Sequence, residues 1–169
     1  MQPGAQSIEI RPAVFLDLDV LTSIDRQCFS AEIAYPRNEI ASLLRSPAIL
    51  TLVAEHSREI VGFASLRFGR HLLSSRSHRR IPESWLRSEL ITIDVLPEFR
   101  RAHVGWLLHQ ALENWFRDRG GKIIELHVSV DNAAAITFYK QLNYRIVDRA
   151  THYYPGAVDA WHMEKNLLE

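Results

Sequence analysis

A segment with two adjacent arginines has the composition of an anion-binding turn. It reads Val95-Leu96-Pro97-Glu98-Phe99-Arg100-Arg101-Ala102-His103-Val104-Gly105. It is predicted to join the carboxyl end of a strand to a helix N-terminus, where unpaired N–H groups and about half a positive charge favour anions. Arg100 and Arg101 add two charges there, and Gly105 allows close backbone approach. The predicted chemistry is the binding of a diphosphate by main-chain donors, with arginines on an ordinary surface as the alternative.

A second group of candidate residues lies between residues 123 and 130, where polar and apolar side chains alternate. One face carries Glu125, His127 and Ser129, and the other is apolar. A strand covered on both faces is apolar throughout, so a polar face on an inner strand indicates a cleft. An imidazole with a pKa of about 6.5 can accept a proton near neutral pH, although a lone strand histidine also occurs in structural roles. Asn132 is predicted to cap the next helix, and Tyr139 lies further along it.

The strands that position these residues follow from the spacing of apolar side chains. A hairpin is predicted where Ser57-Arg58-Glu59 turns between two apolar runs, and Pro12 stops the first strand. A strand, a long amphipathic helix and another strand predict a right-handed crossover between two parallel strands. Strands are predicted at residues 8–11, 49–55, 60–68, 89–95, 123–130, 144–148 and 160–165, the last two joined through 153–156.

Four helices are predicted between these strands. Asp17 is predicted to cap the first helix, Gly120-Gly121 to end the third, and Asn143 to take the left-handed position after the fourth. The buried faces of the first three helices are predicted to carry, in chain order, Val20, Leu21, Ile24 and Cys28; Ile40, Leu43 and Leu44; and Val104, Leu107, Leu108, Ala111, Leu112 and Trp115.

The predicted fold class is α/β (α+β), with residues 1–169 forming one domain. Its central sheet is mixed and mostly antiparallel, with one parallel pair between the fourth and fifth strands and about four flanking helices. Residues 69–88 are predicted to be an extended basic connection, ordered in part by Ile81 and Trp85. This connection is either a solvated loop or a contact surface for a phosphate or an acidic substrate. Its charged side chains are Arg70, His71, Arg76, His78, Arg79, Arg80 and Arg87, against Glu83.

Composition excludes several classes of protein. The 169 residues are 47% hydrophobic and 24% charged, with 20 basic and 20 acidic side chains, so charge predicts no attraction to nucleic acid or membrane. Cys28 is the only cysteine, so no intrachain disulfide forms, and its apolar surroundings predict a core residue rather than a nucleophile. No apolar run approaches the roughly 20 residues of a membrane span, and residues 1–6 lack the features of a signal peptide. A cytoplasmic location is expected.

The two motifs together resemble the GNAT acetyltransferase superfamily, whose acetyl-CoA loop has the pattern Arg/Gln-x-x-Gly-x-Gly/Ala. The resemblance extends from Ile8 to Leu167, and the order of elements agrees throughout. It implies acetyl-CoA as co-substrate and no metal. His103 replaces the first glycine of the pattern, so it must either adopt a strained conformation or keep its N–H in place with the imidazole turned outward. The implied acetyl-CoA contacts are Ile93, Asp94, Val95 and Asn132 for the pantetheine arm, Arg100, Arg101, Ala102, His103, Val104, Gly105 and Trp106 for the pyrophosphate, and Tyr139 for the sulfur.

The resemblance also implies roles in acetyl transfer to a primary amine. Because α-amines have a pKa of about 8 and lysine of about 10.4, the attacking amine must first lose a proton. His127 is the candidate base, since the protein N-terminal acetyltransferase branch of the superfamily has a histidine at this position. Glu89 is the second candidate base, directly or through water, although it lies where that branch often has a tyrosine and could simply face solvent. Tyr139 is the candidate acid for the thiolate.

The same branch closes over the N-terminus of its substrate with two tyrosine-bearing segments. Phe29 and Tyr35 match the segment after the first helix, and Tyr153 and Tyr154 match the hairpin between the last strands. Their rings would contact the first side chains of a peptide, although tyrosines that only pack a hairpin remain an alternative. Residues 159–163 also resemble the last strand of the ribosomal-protein-alanine acetyltransferases.

The expected acceptor is therefore a peptide or protein N-terminus, bound by a monomer or homodimer that has neither a membrane nor a nucleic acid as its partner. A lysine, polyamine or other small-molecule amine acetyltransferase would use the same residues. A non-catalytic acyl-CoA-binding regulatory domain is the alternative from another class. The length of the basic connection and the absence of a Phe-Pro pair from the first tyrosine-bearing segment leave the acceptor open.

Overall fold

The computed structural model describes residues 7–69 and 86–168. Within these ranges, seven strands form a sheet in the order β1-β2-β3-β4-β5-β7-β6. The strands are β1 (Glu9–Pro12), β2 (Ile49–His56), β3 (Glu59–Phe68), β4 (Arg87–Val95), β5 (Ile123–Ser129), β6 (Arg145–Tyr154) and β7 (Val158–Asn166). The four α-helices of the described ranges are α1 (Leu18–Cys28), α2 (Arg37–Arg45), α3 (Val104–Arg117) and α4 (Ala133–Gln141).

Strand pairing confirms the predicted fold class. Strands β4 and β5 are parallel, whereas β1 pairs with β2, β5 with β7 and β6 with β7 in antiparallel register. Ser57 and Arg58 join β2 to its neighbour β3, and both have positive φ (54° and 70°), as the favoured two-residue hairpin turn requires. The sheet is therefore mixed, with the predicted parallel pair and the predicted hairpin.

Several predicted strand boundaries were wrong. Strand β4 begins at Arg87, inside the expected connection, and β6 continues to Tyr154, so Tyr153 and Tyr154 lie in a strand and not in the turn after it. Strand β6 is last in the sheet order, and none of its side chains is fully buried, so its sequence lacks the apolar alternation that marks strands. The remainder of the expected connection, including Ile81 and Trp85, lies outside the described residues.

The prediction that Asp17 caps α1 through its side chain was also wrong. The Asp17 carboxylate instead accepts hydrogen bonds from the Val14 N–H and from the Arg11 guanidinium, both at 2.8 Å. Val20 was predicted to be buried but is 44% exposed. A short 3₁₀ turn at Phe15–Asp17 precedes α1, and the buried face of the helix includes Leu18 and Leu21 instead. None of the helices in the described ranges has the length and apolarity that a bilayer crossing requires.

The chain comprises two compact units, and the first consists of Met1–Ser65 and Thr92–Leu112. Its core contains side chains from α1, α2, β2 and β3, and the predicted inner face of α2 is confirmed there. Cys28 packs against this cluster, which confirms its predicted place in the core. The buried members of the cluster are Leu18, Leu21, Ile24, Ile40, Ala41, Val53 and Phe63.

The second unit consists of Leu66–Ile91 and Glu113–Glu169. Along β5, Ile124, Leu126 and Val128 are buried, whereas the side chains between them are half-buried, so the predicted alternation is confirmed. Strand β5 lies between β4 and β7 in the sheet order, and its polar face is therefore a feature of an inner strand.

We expect Gly62→Ala to destabilise the protein. A Cβ atom at position 62 would lie 2.6 Å from the main-chain oxygen of Asp94, and backbone atoms cannot yield as a flexible side chain does. The loss in the free energy of unfolding should be about 1–3 kcal/mol, measured by urea denaturation. Leu16→Ala, at a side chain that is 93% exposed, should stay within about 0.5 kcal/mol of the wild type. Equal midpoints for all three proteins would contradict this close approach.

Candidate active site

The turn before α3 has the backbone conformation that the glycine pattern requires. A 3₁₀ turn at Pro97–Phe99 follows β4, and α3 begins at Val104. Arg101 and His103 both have positive φ, 64° and 60°, although neither is glycine. The His103 carbonyl accepts the first helical hydrogen bond from the Leu107 N–H at 2.9 Å. Of the two possibilities for His103, the structure contains the strained conformation.

The surroundings of this turn favour an anion. The N–H groups of the first turn of α3 have no acceptor within the helix, and that turn contains no acidic side chain to compete for them. Arg100 is exposed, and its Nε donates to the Val95 carbonyl at 3.1 Å, which keeps the guanidinium beside the turn. Gly105 is half-buried, and Trp106 is 43% exposed. The turn can therefore supply main-chain donors and positive charge to a diphosphate.

A buried pair of carboxyl groups lies in the same unit as this turn. Asp94 is 1% exposed, and its Oδ1 accepts a hydrogen bond from the Thr92 hydroxyl at 2.5 Å. Asp25 of α1 is fully buried, and its Oδ2 accepts a hydrogen bond from the Tyr35 N–H at 2.7 Å. The second oxygen of each carboxyl has no donor among the described residues. Hence the Asp94 side chain points into the interior of this unit.

The pKa values of both carboxyl groups are raised, which favours a proton held between them. Burial raises the pKa of Asp94 well above its usual range, and the nearby negative charge of Asp25 raises it further. Burial also raises the pKa of Asp25 against the opposing effect of its hydrogen bond from Tyr35. Two buried carboxylates with no water or cation to screen them would be far less stable than one carboxylate hydrogen-bonded to one neutral carboxyl group. Through Asp25 this pair fixes the main chain at Tyr35.

Cys28 lies close to the same segment but is not a nucleophile. Its thiol donates to the Val95 carbonyl at 3.3 Å. Burial raises the pKa of the Cys28 thiol, and Asp94 raises it further, against the smaller opposing effect of Arg100. The thiol therefore stays protonated at neutral pH. Phe29 follows Cys28 and is half-buried, and Tyr35 packs against the core of the first unit.

In the second unit, the ring of His127 stacks with two other aromatic rings. Tyr153 stacks on one side, with ring centroids 4.4 Å apart and an interplanar angle of 10°. His162 also stacks with it, at 4.9 Å and 12°. Residues 127 and 162 are direct partners in the antiparallel pairing of β5 with β7. The imidazole orientation is consequently set by packing as well as by its rotamer.

This environment keeps the His127 imidazole neutral. Its Nδ1 is buried and has no hydrogen-bond partner among the described residues. Burial lowers the pKa of His127, and the neighbouring His162 lowers it further, whereas Glu89 and Glu125 act in the opposite direction. Because its pKa is lowered from the usual value of about 6.5, the neutral form, which can accept a proton, predominates at neutral pH.

The other candidates in this unit have partners that restrict their roles. Glu89 forms an ion pair with Arg67 at 2.5 Å, and its side chain is 31% exposed. The hydroxyl of Tyr154 donates to the main-chain oxygen of His127 at 3.2 Å, and burial raises the pKa of Tyr154 to about 12. Tyr153 is 46% exposed, so its ring can contact both His127 and a bound molecule.

Asn132 and Tyr139 lie on α4 as expected. The Asn132 side chain caps the helix, accepting a hydrogen bond from the Ala135 N–H at 3.1 Å. Asn143 follows the helix with φ 68°, the left-handed conformation predicted for it. Tyr139 is half-buried, and its ring meets the edge of the Tyr144 ring with centroids 5.7 Å apart. The predicted cap is therefore confirmed, and the role of Tyr139 as an acid stays a prediction.

Sequence reasoning missed an ionic network next to the His127 stack. Arg87 of β4 forms ion pairs with Glu125 of β5, at 2.7 Å, and with Glu164 of β7. His162 Nε2 lies 3.2 Å from the same Glu125 carboxylate and 3.7 Å from Glu164. Because Arg87 already neutralises the carboxylates, we interpret the cluster as an ion-pair network. The register of β7 against β5 was the missing information, since Glu125 had already been placed on the polar face.

A separate cavity of about 450 Å³ in the second unit does not coincide with these candidates. Arg117 and Lys140 lie in the last turns of α3 and α4, where cations favour the helix dipole. Glu113 binds both Arg117 and Lys165. None of the residues that line the cavity is a candidate site residue. They are Glu113, Arg117, Lys140, Asn143, Tyr144, Arg145, Lys165 and Asn166.

Comparison with known proteins identifies the class of this site. Residues 18–144 match the acetyltransferase (GNAT) family. The chain is similar to an N-alpha-acetyltransferase of Sulfolobus acidocaldarius, with 30% identity over 160 residues, 94% of this chain and 92% of that protein. It resembles the crystal structure of the ribosomal-protein-S18-alanine N-acetyltransferase from Escherichia coli, with a TM-score of 0.78, 21% identity, and 95% and 94% of the two chains covered. It also resembles Arabidopsis thaliana NAA60 in complex with acetyl-CoA, with a TM-score of 0.78, 20% identity, and 96% and 100% covered.

The chain therefore belongs to the acetyltransferase (GNAT) family and is an enzyme of that class. The family membership predicted from the Arg100 turn and the His127 strand is confirmed. The individual roles of the site residues stay predictions.

We expect the buried carboxyl pair to make stability depend on pH. Because folding raises the pKa of Asp94, its contribution is fully present below the unfolded-state pKa of about 3.9 and is lost as the pH rises through the folded-state value. Asp94→Asn supplies a neutral donor to Asp25, so the free energy of unfolding of the wild type relative to this variant should fall over that range. Urea denaturation at a series of pH values measures the difference.

Asp118→Asn, at an exposed carboxylate after α3, is the matched control for this measurement. It should follow the wild-type pH dependence throughout. Parallel curves for the wild type and Asp94→Asn would show that the two buried carboxyl groups do not share a proton.

Proposed function

We propose that this enzyme transfers the acetyl group of acetyl-CoA to the α-amine of a peptide or protein N-terminus. The observation that carries the proposal is the neutral His127 imidazole, stacked with two other aromatic rings on the polar face of an inner strand. The similarity to an N-alpha-acetyltransferase over almost the whole chain supports the α-amine as acceptor. A structure of the same fold in complex with acetyl-CoA supports the donor.

The Arg100–Gly105 turn is our candidate site for the diphosphate of acetyl-CoA. Left-handed backbone at Arg101 and His103 and the start of α3 provide main-chain donors, and Arg100 provides charge. Pairing of β4 with β5 ends at Glu89↔Glu125, although β4 continues to Val95. Main-chain groups in the interior of a sheet need partners, and the amides of a pantetheine arm can pair with Ile93, Asp94 and Val95.

The reaction proposed for these residues is direct transfer without a covalent enzyme intermediate. His127 accepts a proton from the α-ammonium group, and the resulting amine attacks the thioester carbonyl. A C–N bond forms and the C–S bond breaks. Tyr139 is the candidate donor of a proton to the departing thiolate, and the second proton lost by the attacking nitrogen restores the Tyr139 hydroxyl, directly or through solvent. The ion pair of Glu89 with Arg67 suits a role beside His127 rather than that of the principal base.

The tyrosines have different parts in binding the acceptor. The Tyr154 hydroxyl donates a hydrogen bond to the His127 carbonyl, so it fixes the strand that carries the candidate base. Tyr153 is largely exposed and stacks on His127, so its ring is the surface on which the first residue of a peptide would rest. Tyr35 and Phe29 are the candidates in the first unit for contacts with the acceptor.

A peptide array with free and blocked N-termini, incubated with acetyl-CoA and read by mass, tests the acceptor. Modification of free N-termini alone supports the proposal. Acetylation of lysine side chains in N-terminally blocked peptides would instead assign a lysine acetyltransferase. Binding of acetyl-CoA without modification of any peptide would favour a small-molecule acceptor or an acyl-CoA-binding regulatory domain.

We expect Arg100→Ala to weaken the binding of coenzyme A by about tenfold or more, because it removes a charge-assisted contact to phosphate worth about 1.5–3 kcal/mol. Isothermal titration calorimetry with coenzyme A alone measures the effect without any acceptor. Arg58→Ala, in the β2–β3 turn, is the matched control and should bind as the wild type does. An unaltered dissociation constant for Arg100→Ala would refute the assignment of the turn.

We expect His127→Ala to lower kcat/KM for a peptide acceptor by about 10²- to 10⁴-fold, with little change in the affinity for acetyl-CoA. Since the pKa of His127 is lowered, the wild-type rate should fall on acidification only below pH of about 6.5. This acid limb should be absent from His127→Ala. If the wild type and His127→Ala had the same kcat/KM and the same decrease at acidic pH, His127 would not be the base.

A further inference from the structure

Strand β7 places a second imidazole against His127. His162 faces it directly in the register, and the two rings stack almost in parallel. Tyr153 also stacks with the His127 ring, so this ring has two parallel neighbours that oppose its rotation about χ2. Removal of either neighbour would open space on one face of the ring.

His162 is itself fixed by charges. Its Nε2 lies within hydrogen-bond distance of the Glu125 carboxylate, and Arg87 binds both Glu125 and Glu164. The pKa of Glu125 is lowered, because its interactions with Arg87 and His162 outweigh its burial, so it is a carboxylate near neutral pH. A carboxylate at Nε2 defines the orientation of the His162 ring and stabilises any positive charge that it acquires.

Charge on one of two stacked imidazoles raises the cost of charge on the other. For this pair the asymmetry is clear, because Glu125 contacts His162, whereas His127 Nδ1 has no hydrogen-bond partner among the described residues. The ionisable and charged groups around the pair are Glu125 and His127 on β5, His162 and Glu164 on β7, Tyr153 and Tyr154 on β6, Glu89 and Arg87 on β4, and Arg67 on β3.

We propose that His162 is a positioning residue for acetyl transfer: anchored by Glu125, it holds the His127 ring in its stack and disfavours a positive charge on it, so that His127 meets the ammonium group of the acceptor as a neutral base. This inference rests on the proposed function. In this role His162 does not touch the reacting atoms and acts only through His127.

Two variants separate the two parts of this role. His162→Phe keeps a flat ring in the stack but removes both the charge and the hydrogen bond to Glu125. His162→Ala also removes the ring. We expect the pKa of His127 to rise in His162→Phe and the acid limb of kcat/KM to move to higher pH by the same amount, with the plateau at alkaline pH retained. In His162→Ala the plateau should fall severalfold as well, because the His127 ring is no longer held.

The pKa of His127 is measured in the full-length protein by NMR titration of labelled imidazoles, with its resonance assigned from its absence in His127→Ala. His56→Gln, which removes an imidazole from β2, is the control and should leave both the titration and the pH profile unchanged. An unchanged pKa in His162→Phe, together with an unaltered plateau in His162→Ala, would overturn the inference while leaving the proposed function intact. The proposed function fails separately, if the wild type acetylates no free N-terminus.

Discussion

The early end of the parallel pairing between β4 and β5 is the constraint on which the proposed site depends. The register runs from Arg87↔Ile123 to Glu89↔Glu125, and both strands continue past it, to Val95 and Ser129. Each strand keeps its other neighbour in the sheet, β3 or β7. Interior strands rarely leave main-chain groups without partners, which is the basis of the proposal that residues 93–95 of β4 pair with the pantetheine arm.

The ion pairs of Arg87 mark the place where that pairing occurs. Arg87 is in the first pair of the ladder, and its guanidinium reaches carboxylates on the next two strands, Glu125 and Glu164. Partly exposed ion pairs contribute little individually, but a cation between two carboxylates removes their mutual repulsion. It also leaves Glu125 available to His162, and through that ring the network reaches His127. An ionic contact at the start of the ladder is thus connected, through Glu125 and His162, to the candidate base on β5.

Most of the fold could be predicted from local periodicity, because in buried elements apolar residues recur at the spacing of the buried face. The alternation along β5 and the inner face of α2 are examples, and the Ser57-Arg58 turn was found from polar residues between apolar runs. Strand β6 has no such apolar periodicity, since its side chains are mostly exposed and its pairing with β7 is interrupted by register shifts. Asp17 fitted the capping rule, but the charge of Arg11 from β1 competed for its carboxylate.

The candidate site could be predicted only where its residues belong to one segment. The Arg100 turn and Asn132 cap are contiguous motifs, and Asn132 caps α4 as expected. The stack on His127 requires residues from β6 and β7, and nothing in the sequence of β5 states which residue of β7 lies opposite. The Asp25–Asp94 pair was missed for the same reason. Long-range register, rather than local propensity, assembles these groups.

The turn before α3 shows how a family pattern can be kept in conformation while it is lost in sequence. Where the pattern has glycine, His103 adopts φ 60°, and Arg101 adopts φ 64°, at a cost of about 1–2 kcal/mol for each L-residue in this region. Nothing in the turn's own side chains offsets that cost, since both residues are exposed. Strain of this kind persists where the conformation itself is useful, and here it lies directly before a helix that has no acidic side chain in its first turn. A bound diphosphate would stabilise that conformation, which links the strain to the proposed binding of acetyl-CoA.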